Sequence, residues 1–431
     1  MKKIVLSLVF LNSILVYSQF TVHIKTSPIF SAKEAILYSL VGSKDVIVSK
    51  VEKKNNQWDF NMPQNYMGML KVYFPETNST INMISENKNI ILNFDSQNNK
   101  ITAVQYQDEA NKLMEAIQDV EQKKEVILPA LYQMQEYYKP NTEFRKSIEK
   151  EIERLSSKQI IDKEKHPFIS YYNSNYNKYL VKSPTESPVS QEELQHFIVS
   201  SNEYLESSSL LRPILLSFLN SGAKSNVDVA VDQLLNKLNI ETPRGQVVLS
   251  ELIDLFDVYG MSNLKNKYLT EANNLKCTIT DRLAKTIKVN ENTKVGAIFP
   301  DYTFNNPIHT TSSSLKQIKA KNKIIVFWSS TCSHCETELP KLLPIYSELK
   351  KKNIEVVGFS LDNDLGVYKS KASVFPWINT SELKGWNSSF VETYNVHATP
   401  TYFILDENDK IVEKPDHVQD VINYFNLKKA L

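Results

Sequence analysis

The alternation of apolar and polar residues divides the chain into three parts with different periods. Between Phe20 and Tyr106 the period is close to two residues, as in Thr21-Val22-His23-Ile24, and this is typical of half-buried strands. Further runs of strand-forming residues lie at 45–51, 70–74 and 89–94, with candidate turns at Asn55-Asn56 and Gln97-Asn98-Asn99. We therefore predict an N-terminal all-β, sandwich-like domain of antiparallel strands over residues 19–106.

Residues 107–290 follow the longer period of helices. One predicted helical face is formed by Ala110, Leu113, Met114, Ile117 and Val120. Two helix starts are also visible in the sequence. Ser190 precedes Glu193 by the spacing of a capping box, and Thr242 stands before Pro243, a residue that suits the first turn of a helix. These patterns predict an α-helical middle region.

After residue 290 the pattern changes again. Residues 323–328, apolar after Lys323, predict a buried strand, and a helical pattern follows at 332–351. Further strands are predicted at 354–360, 402–405 and 410–412, and a closing helix at 418–425. A strand–helix–strand unit followed by a strand hairpin and a helix predicts a C-terminal α/β domain over residues 291–431.

The first 18 residues have the features of a secretory signal peptide. Lys2 and Lys3 precede a mainly apolar stretch at 4–16, and Val16-Tyr17-Ser18 offers compact residues at the positions that a signal peptidase reads. The stretch is shorter than the ~20 apolar residues needed to span a bilayer. We therefore predict cleavage near Gln19, export to the periplasm and a soluble mature protein.

The composition is that of a globular protein and excludes several classes of function. The chain has 431 residues, enough for two or three domains, and its formal net charge of +1 lacks the basic excess of nucleic-acid-binding proteins. We therefore expect no nucleic-acid partner. The chain contains only 9 glycines, and no glycine-rich phosphate-binding motif is present. The 3 cysteines comprise one close pair and Cys277, which we interpret as a buried bystander.

The close pair lies in the string Cys332-Ser333-His334-Cys335, which follows closely on the predicted strand at 323–328. Two cysteines at this spacing can form a disulfide within one helical turn. At the start of a helix, the first sulfur meets free backbone N–H groups and the positive end of the helix dipole, which favour the thiolate. We therefore predict that Cys332 is the nucleophile and that Cys335 resolves the mixed disulfide. No cofactor is expected beyond this redox-active pair.

Two further elements modify the predicted site. A protonated His334 would stabilise the Cys332 thiolate and make the pair more oxidising, and we favour this role over general-base catalysis. Thr399-Pro400 precedes a predicted strand, and a cis proline there could hold an extended substrate segment against the sulfurs. A structural zinc ion would need two more ligands, which Cys277 and the scattered histidines do not supply, so no metal is expected.

These motifs together resemble the thioredoxin superfamily, in particular its exported TlpA/ResA-type disulfide reductases. The resemblance covers about the last third of the chain. It lies in three strings, GAIFPDYTF at 296–304, FWSSTCSHC at 327–335 with ELPKL at 338–342, and YNVHATPTYFILD at 394–406. It implies a thioredoxin fold, a kink near Pro340, a cis peptide at Thr399-Pro400, and substrate contacts from Trp328, Thr399 and Pro400.

The chain departs from the family pattern at two positions. Thr331 stands where a tryptophan usually precedes the first cysteine, and Val326 stands where thioredoxins carry a buried aspartate. Proton transfer to Cys335 then requires another group or water. Glu338 matches a glutamate of the exported relatives, and Asp362 is a weaker candidate that we expect to be an exposed loop residue.

The resemblance also implies partners. Its members act on protein disulfides, and those with this shape are mainly reductants that a membrane-bound electron donor of the thioredoxin-reducing type keeps reduced. Reduction is therefore the expected direction, although the Ser333-His334 pair could make the potential less reducing. The accessory regions ahead of the redox domain name no substrate, and the sequence does not specify an oligomeric state.

Two other functions compete with disulfide exchange. A peroxiredoxin needs a threonine or serine three residues before its reactive cysteine and a proline four residues before that. If Cys332 were the reactive cysteine, those positions would be Ser329 and Ile325. If it were Cys335, they would be Cys332 and Trp328. The required proline is missing in both cases. The second competitor is a substrate-binding or chaperone-like protein in which the first two regions hold a partner and the thiols are secondary.

Overall fold

The computed structural model describes residues 20–156, 160–181, 188–222 and 227–427. The chain divides into two compact units, Met1–Ser221 and Gly222–Leu431. The predicted signal peptide, residues 1–18, lies outside the described residues. Within the described ranges, no helix combines the length and the apolar character needed to cross a bilayer. The boundaries predicted for the individual domains remain predictions.

The first unit begins with strands that form two four-stranded sheets. The strands are β1 (Phe20–Thr26), β2 (Glu34–Val41), β3 (Lys44–Glu52), β4 (Gln57–Met62), β5 (Met67–Phe74), β6 (Ser79–Glu86), β7 (Ile90–Gln97) and β8 (Lys100–Tyr106). The sheet orders are β4-β1-β7-β8 and β3-β2-β5-β6. The expectation of a purely antiparallel arrangement is wrong at one place, because β1 and β7 pair in parallel.

The two sheets are joined by a core to which both contribute alternate residues. Apolar side chains of β1, β4 and β7 meet those of β2, β5 and β6 in one buried cluster. At its centre, the rings of Phe30, Trp58, Phe74 and Phe94 pack mainly edge to face. Burying one face of each sheet explains why the period-two pattern was readable in the sequence.

The middle of the chain is helical and contributes to both units. The helices of the first unit are α1 (Glu109–Tyr137), α2 (Glu143–Ser156), α3 (Pro167–Tyr179), α4 (Gln191–Ser200) and α5 (Leu211–Ser221). Those of the second are α6 (Val227–Leu238), α7 (Pro243–Val258), α8 (Ser262–Asn273) and α9 (Asp281–Thr293). Both predicted caps are present: Ser190 accepts the Glu193 N–H at 3.1 Å and Thr242 accepts the Gly245 N–H at 3.1 Å. The capping box predicted at Ser190 is not completed, because the Glu193 carboxylate pairs with Lys178 instead.

The second unit continues as an α/β fold, which confirms the predicted class of the C-terminal domain. Its elements are β9 (Asn322–Trp328), α10 (Ser333–Glu338), α11 (Leu343–Lys351), β10 (Ile354–Ser360), α12 (Leu365–Ala372), β11 (Ile378–Ser381), α13 (Ser389–Thr393), β12 (Thr401–Leu405), β13 (Ile411–Glu413) and α14 (Val418–Tyr424). The five strands form one sheet in the order β11-β10-β9-β12-β13. β9 pairs in parallel with β10 and antiparallel with β12.

Strand β9 lies in the middle of this sheet and is buried on both faces. Ile324, Val326 and Trp328 face one apolar cluster, which α10, α11, α12 and α14 cover. Ile325 and Phe327 face a second cluster, which includes α13 and the chain around Phe299. The continuous apolar run at 324–328 is therefore the sequence signal of a central strand that is covered on both faces.

The predicted helix at 332–351 is interrupted. A short 3₁₀ segment, Leu339–Leu342, separates α10 from α11. Pro340 lies in this segment and Pro344 follows at the start of α11. A proline supplies no N–H and its ring displaces the preceding turn, so α-helical bonding cannot run unbroken through this stretch. The interruption leaves α10 as a short helix that carries both cysteines of the pair at its start.

Gly358 in β10 is required by a close approach between side chains. A Cβ atom at this position would lie 2.3 Å from Asn379 Oδ1 and 2.8 Å from Trp328 Nε1. Those two atoms are themselves joined by a hydrogen bond of 3.1 Å, in which the indole N–H donates. The absence of a side chain at Gly358 therefore lets the last residue of β9 form a hydrogen bond across β10 to Asn379 of β11.

Candidate active site

The sulfur of Cys332 lies at the junction of β9 and α10. The strand ends at Trp328, a short loop follows, and Cys332 is the N-cap residue of α10. Its sulfur accepts the backbone N–H of Cys335 at 3.4 Å, as a serine or aspartate oxygen does at other helix starts. The structure therefore places Cys332 where the sequence predicts it, partly exposed at the first turn of a helix.

The environment of Cys332 favours its thiolate. Burial is the largest single influence on its pKa and raises it, but hydrogen bonds from Thr399, Cys335 and His334 together outweigh that effect. The pKa of Cys332 consequently lies below that of an ordinary cysteine. His334 contributes through its backbone N–H, and its imidazole is exposed. The predicted tuning by the charge of that imidazole remains a prediction.

Cys335 has the opposite environment. Only 3% of the residue is exposed, and it belongs to the apolar cluster on the α10 face of the sheet. Burial is the main cause that raises the pKa of Cys335 to about 12, although hydrogen bonds from the Ser329 backbone and the Thr399 side chain favour the thiolate. Of the two thiols, Cys332 is therefore the one able to attack from solvent at neutral pH.

The loop ahead of β12 closes the site. The Thr399-Pro400 peptide bond is cis, and both residues are partly exposed. The Cys332 thiol donates to the backbone carbonyl of Thr399 at 3.1 Å. A thiolate has no proton to donate, so this contact belongs to the thiol form and ionisation of Cys332 releases the Thr399 carbonyl.

Trp328 does not fit the substrate contact predicted for it. The residue is 1% exposed, its indole N–H donates to Asn379, and its ring meets Phe375 edge to face. A ring enclosed in this way cannot contact a substrate at the surface. The correction follows from the position of Trp328 as the last residue of a strand that is covered on both faces.

Asp362 is also placed differently from the prediction. It is 4% exposed rather than an exposed loop residue. Its Oδ1 atom accepts the Ser330 N–H at 2.9 Å, the Ser330 hydroxyl at 2.7 Å and the Ser329 hydroxyl at 3.2 Å. Its Oδ2 atom accepts the Ser360 hydroxyl at 2.8 Å. This buried carboxylate therefore fixes the loop immediately before Cys332.

Glu338 connects α10 to the start of α14. One carboxylate oxygen accepts the Val418 N–H at 3.0 Å and the other accepts Lys341 Nζ. Burial raises the pKa of Glu338, but Lys341, the Val418 amide and His417 outweigh it, so the pKa lies below its usual value. An ionised Glu338 can receive a proton only at a cost, and its proposed proton-transfer role remains a prediction.

Metal-binding groups and the third cysteine, Cys277, complete the description of the candidate site residues. Among the residues that the structure describes, no group of three or more histidines, cysteines and acidic residues is arranged to hold a metal ion. Cys277 is partly exposed rather than buried, and its sulfur accepts from Gln246 Nε2 at 3.1 Å. Desolvation and the nearby Glu241 raise the pKa of Cys277, which makes it a weaker nucleophile than Cys332.

A contact between α7 and the segment leading to Pro400 was not predicted from the sequence. Asp257 in α7 accepts from Asn395 Nδ2 at 2.6 Å and from Lys265 Nζ at 2.5 Å, and it lies 3.7 Å from His397 Nε2. The available signal was an aspartate near the end of a helix that is mostly buried. It could not be matched to a partner more than a hundred residues away.

A two-cysteine turn between a buried strand and a helix, closed by a cis-proline loop, is the arrangement of a thioredoxin-like domain. The Redoxin family model matches residues 294–426. The ResA thiol–disulfide oxidoreductase of Bacillus cereus is 26% identical over 129 residues, which are 29% of this chain and 70% of that protein. The ResA of Oceanobacillus iheyensis is 24% identical over 128 residues, 28% of this chain and 64% of that protein.

Solved structures are similar over the same region. The thioredoxin domain of a thiol–disulfide oxidoreductase from Bacteroides vulgatus has 27% identity and a TM-score of 0.29, and covers 31% of this chain and 96% of its own. A thioredoxin-like protein from Bacteroides caccae has 17% identity and a TM-score of 0.35, with coverages of 57% and 97%. On the family model and the ResA relatives, residues 294–426 form a TlpA/ResA-like domain of the thioredoxin superfamily.

The unequal thiol environments predict a difference in reactivity with pH. In the Cys277→Ser background, Cys335→Ser leaves Cys332 as the single cysteine, and Cys332→Ser leaves Cys335 as the single cysteine. Because alkylation requires the thiolate, a lowered pKa shifts its midpoint to lower pH, and Cys332 should titrate below the ~8.5 of a free cysteine. Cys335 should stay unreactive through pH 9, since its pKa is about 12. Faster alkylation of Cys335 than of Cys332 at pH 7 would contradict these assignments.

The buried carboxylate of Asp362 predicts a loss of stability on substitution. Asp362→Asn replaces one acceptor oxygen by an N–H₂ group that faces hydroxyls already engaged in hydrogen bonds. We expect the free energy of unfolding to fall by about 1–3 kcal/mol, measured by urea denaturation. Asp364→Asn is the matched control, because Asp364 is the exposed N-cap of α12 and asparagine caps helices equally well. Equal losses in the two variants would refute the role assigned to Asp362.

Proposed function

We propose that this protein is an exported thiol–disulfide oxidoreductase that reduces protein disulfides through Cys332 and Cys335. The observation that carries the proposal is the contrast between the two sulfurs. Cys332 is partly exposed with a lowered pKa, whereas Cys335 is buried with a pKa of about 12. A nucleophile and a resolving thiol need this difference, because the first must attack from solvent and the second must react only within the protein.

The proposed reaction has two exchange steps. The Cys332 thiolate attacks a substrate disulfide, a Cys332–substrate disulfide forms, and the first substrate sulfur leaves as a thiolate that takes a proton from water. Cys335 then loses its proton and attacks Cys332, so the second substrate sulfur leaves and the Cys332–Cys335 disulfide forms. Two electrons pass to the substrate. An exported thiol donor at the membrane, of the thioredoxin-reducing type, would return the pair to its reduced form.

The cis-proline loop supports a polypeptide as the substrate. Ionisation of Cys332 releases the Thr399 carbonyl, which then has a free lone pair close to the reacting sulfur. An extended substrate segment could donate a backbone N–H to this carbonyl, in the manner of an added strand. Thr399 and Pro400 would in this way align the substrate disulfide with Cys332.

The state of Cys335 supports the reducing direction. A strong disulfide donor owes its oxidising potential to a stabilised reduced form. Here only Cys332 is favoured as a thiolate, and burial strongly disfavours ionisation of Cys335. The reduced pair therefore gains limited stabilisation and retains a tendency to give up its electrons.

Trapping with single-cysteine variants tests the mechanism. Cys335→Ser should accumulate mixed disulfides with protein substrates through Cys332, seen as species on non-reducing gels that dithiothreitol removes. Cys332→Ser should trap none, because Cys335 is buried. Cys277→Ser is the matched control and should reduce disulfides at the wild-type rate. Failure of Cys335→Ser to trap any partner would overturn the proposed exchange and leave substrate binding as the function to pursue.

The reduction potential tests the direction. Equilibration of the pair against a dithiothreitol or glutathione series should give a two-electron couple near the ~−270 mV of thioredoxin. A value near ~−120 mV would contradict the reductase direction, and His334 would then be the first residue to substitute. Absence of a two-electron couple would refute disulfide exchange altogether.

A separate assay of hydrogen peroxide tests the peroxidase alternative, which rapid consumption of peroxide by the reduced protein would favour.

A further inference from the structure

The resolving step requires an ionised Cys335 in a place that opposes ionisation. With a pKa of about 12, a fraction of only about 10⁻⁵ of the molecules would carry this thiolate at pH 7. The first-turn backbone N–H that Cys335 offers is directed at Cys332, not at its own sulfur. A hydrogen-bond donor close to Cys335 would therefore act directly on the slow event of the second exchange step.

Tyr402 presents a buried hydroxyl to this part of the core. It belongs to β12, where it pairs with Val326 of β9, and its side chain lies in the same apolar cluster as Cys335. The residue is 1% exposed, and its hydroxyl has no hydrogen-bond partner among the residues that the structure describes. Leaving a buried hydroxyl unpaired costs free energy, and phenylalanine would fill the same space without this cost.

The charged groups around the hydroxyl identify what it faces. Burial, followed by the charges of Glu338, Cys335 and Cys332, raises the pKa of Tyr402 far above its usual value. The phenol therefore keeps its proton and is a hydrogen-bond donor at every accessible pH. Glu338 and Cys335 belong to α10 and Cys332 is its N-cap, and the side chain of Tyr402 packs in the apolar cluster that contains Cys335.

Glu338 is the competing acceptor for this hydroxyl. Its two oxygens already accept from Lys341 and from the Val418 N–H, and His417 adds a further favourable charge at the start of α14. Its negative charge is therefore balanced in the reduced protein. The Cys335 sulfur, in contrast, gains a full charge only during the reaction, and a donor in addition to Ser329 and Thr399 would then stabilise it further.

On the basis of the function proposed above, we propose that Tyr402 is a catalytic residue whose hydroxyl donates a hydrogen bond to the Cys335 sulfur as that sulfur loses its proton. The proton of Cys335 passes to water, and the thiolate then attacks Cys332 of the mixed disulfide. The bond from Tyr402 stabilises the charge that develops before this attack. A hydroxyl that is unpaired in the resting dithiol thus gains its partner in the reacting state.

The test follows the two steps separately with 5,5′-dithiobis(2-nitrobenzoate) in the Cys277→Ser background. The first thionitrobenzoate is released when Cys332 attacks the reagent, at a rate proportional to reagent concentration. The second is released when Cys335 resolves the mixed disulfide, at a rate independent of that concentration. We expect Tyr402→Phe to slow the second phase about tenfold and to leave the first nearly unchanged, since one pKa unit is a factor of ten in thiolate.

Tyr394→Phe is the matched control. Tyr394 is a buried tyrosine on the opposite face of the sheet, and its hydroxyl donates to the Pro300 carbonyl at 2.9 Å. This variant should lose thermal stability and keep both phases at wild-type rates. Tyr402→Phe should show the reverse, with a thermal midpoint no lower than the wild-type value and a slower second phase at each pH from 6 to 9.

The outcomes separate this proposal from the function on which it rests. A second phase at the wild-type rate in Tyr402→Phe, or a first phase slowed as much as the second, would overturn the role of Tyr402. If Tyr402→Phe failed to fold, Tyr402→Met, which also lacks the hydroxyl and adapts to irregular space, should slow the second phase to a similar extent. Absence of both phases in the protein with Tyr402 intact would contradict disulfide exchange itself.

Discussion

The structure of the redox site depends on a difference in solvation between two sulfurs only three residues apart. Cys332 lies at the helix start, where backbone N–H groups stabilise negative charge, and Cys335 lies one turn further, among apolar side chains. A short helix beginning at the surface and entering the core produces this difference by geometry alone. The central strand and the Asp362 contacts fix where α10 begins. The proline-containing 3₁₀ segment fixes where α10 ends within the core.

Much of this arrangement follows from local sequence. The apolar run at 324–328 is typical of a strand covered on both faces, and the two cysteines after it belong to the helix that follows this strand. Asparagine pairs predicted the hairpin turns of the first unit, where Asn55 and Asn56 have φ angles of 51° and 58°. Asparagine tolerates this left-handed conformation better than other non-glycine residues, which is why the signal was reliable.

The remaining features depend on contacts distant in sequence, which no local pattern records. Asp362 looks like any loop aspartate until the chain brings three serines around it. Trp328 belongs to the redox motif in sequence but is a core residue in space, because the strand that carries it is central. The parallel pairing of β1 with β7 likewise joins segments about seventy residues apart, whereas period-two alternation is the same for both pairing directions.

The contact of Asp257 with Asn395 and Lys265 has a consequence for how the redox domain is delimited. Family likeness begins at residue 294, but the carboxylate that receives Asn395 lies on α7, well before that point. A fragment cut at the family boundary would leave Asn395 and His397 facing water, only a few residues before the cis-proline. The segment that matches the family is therefore shorter than the part of the chain that holds the active site in place. On its own, that segment lacks the α7 carboxylate that contacts the residues before Pro400.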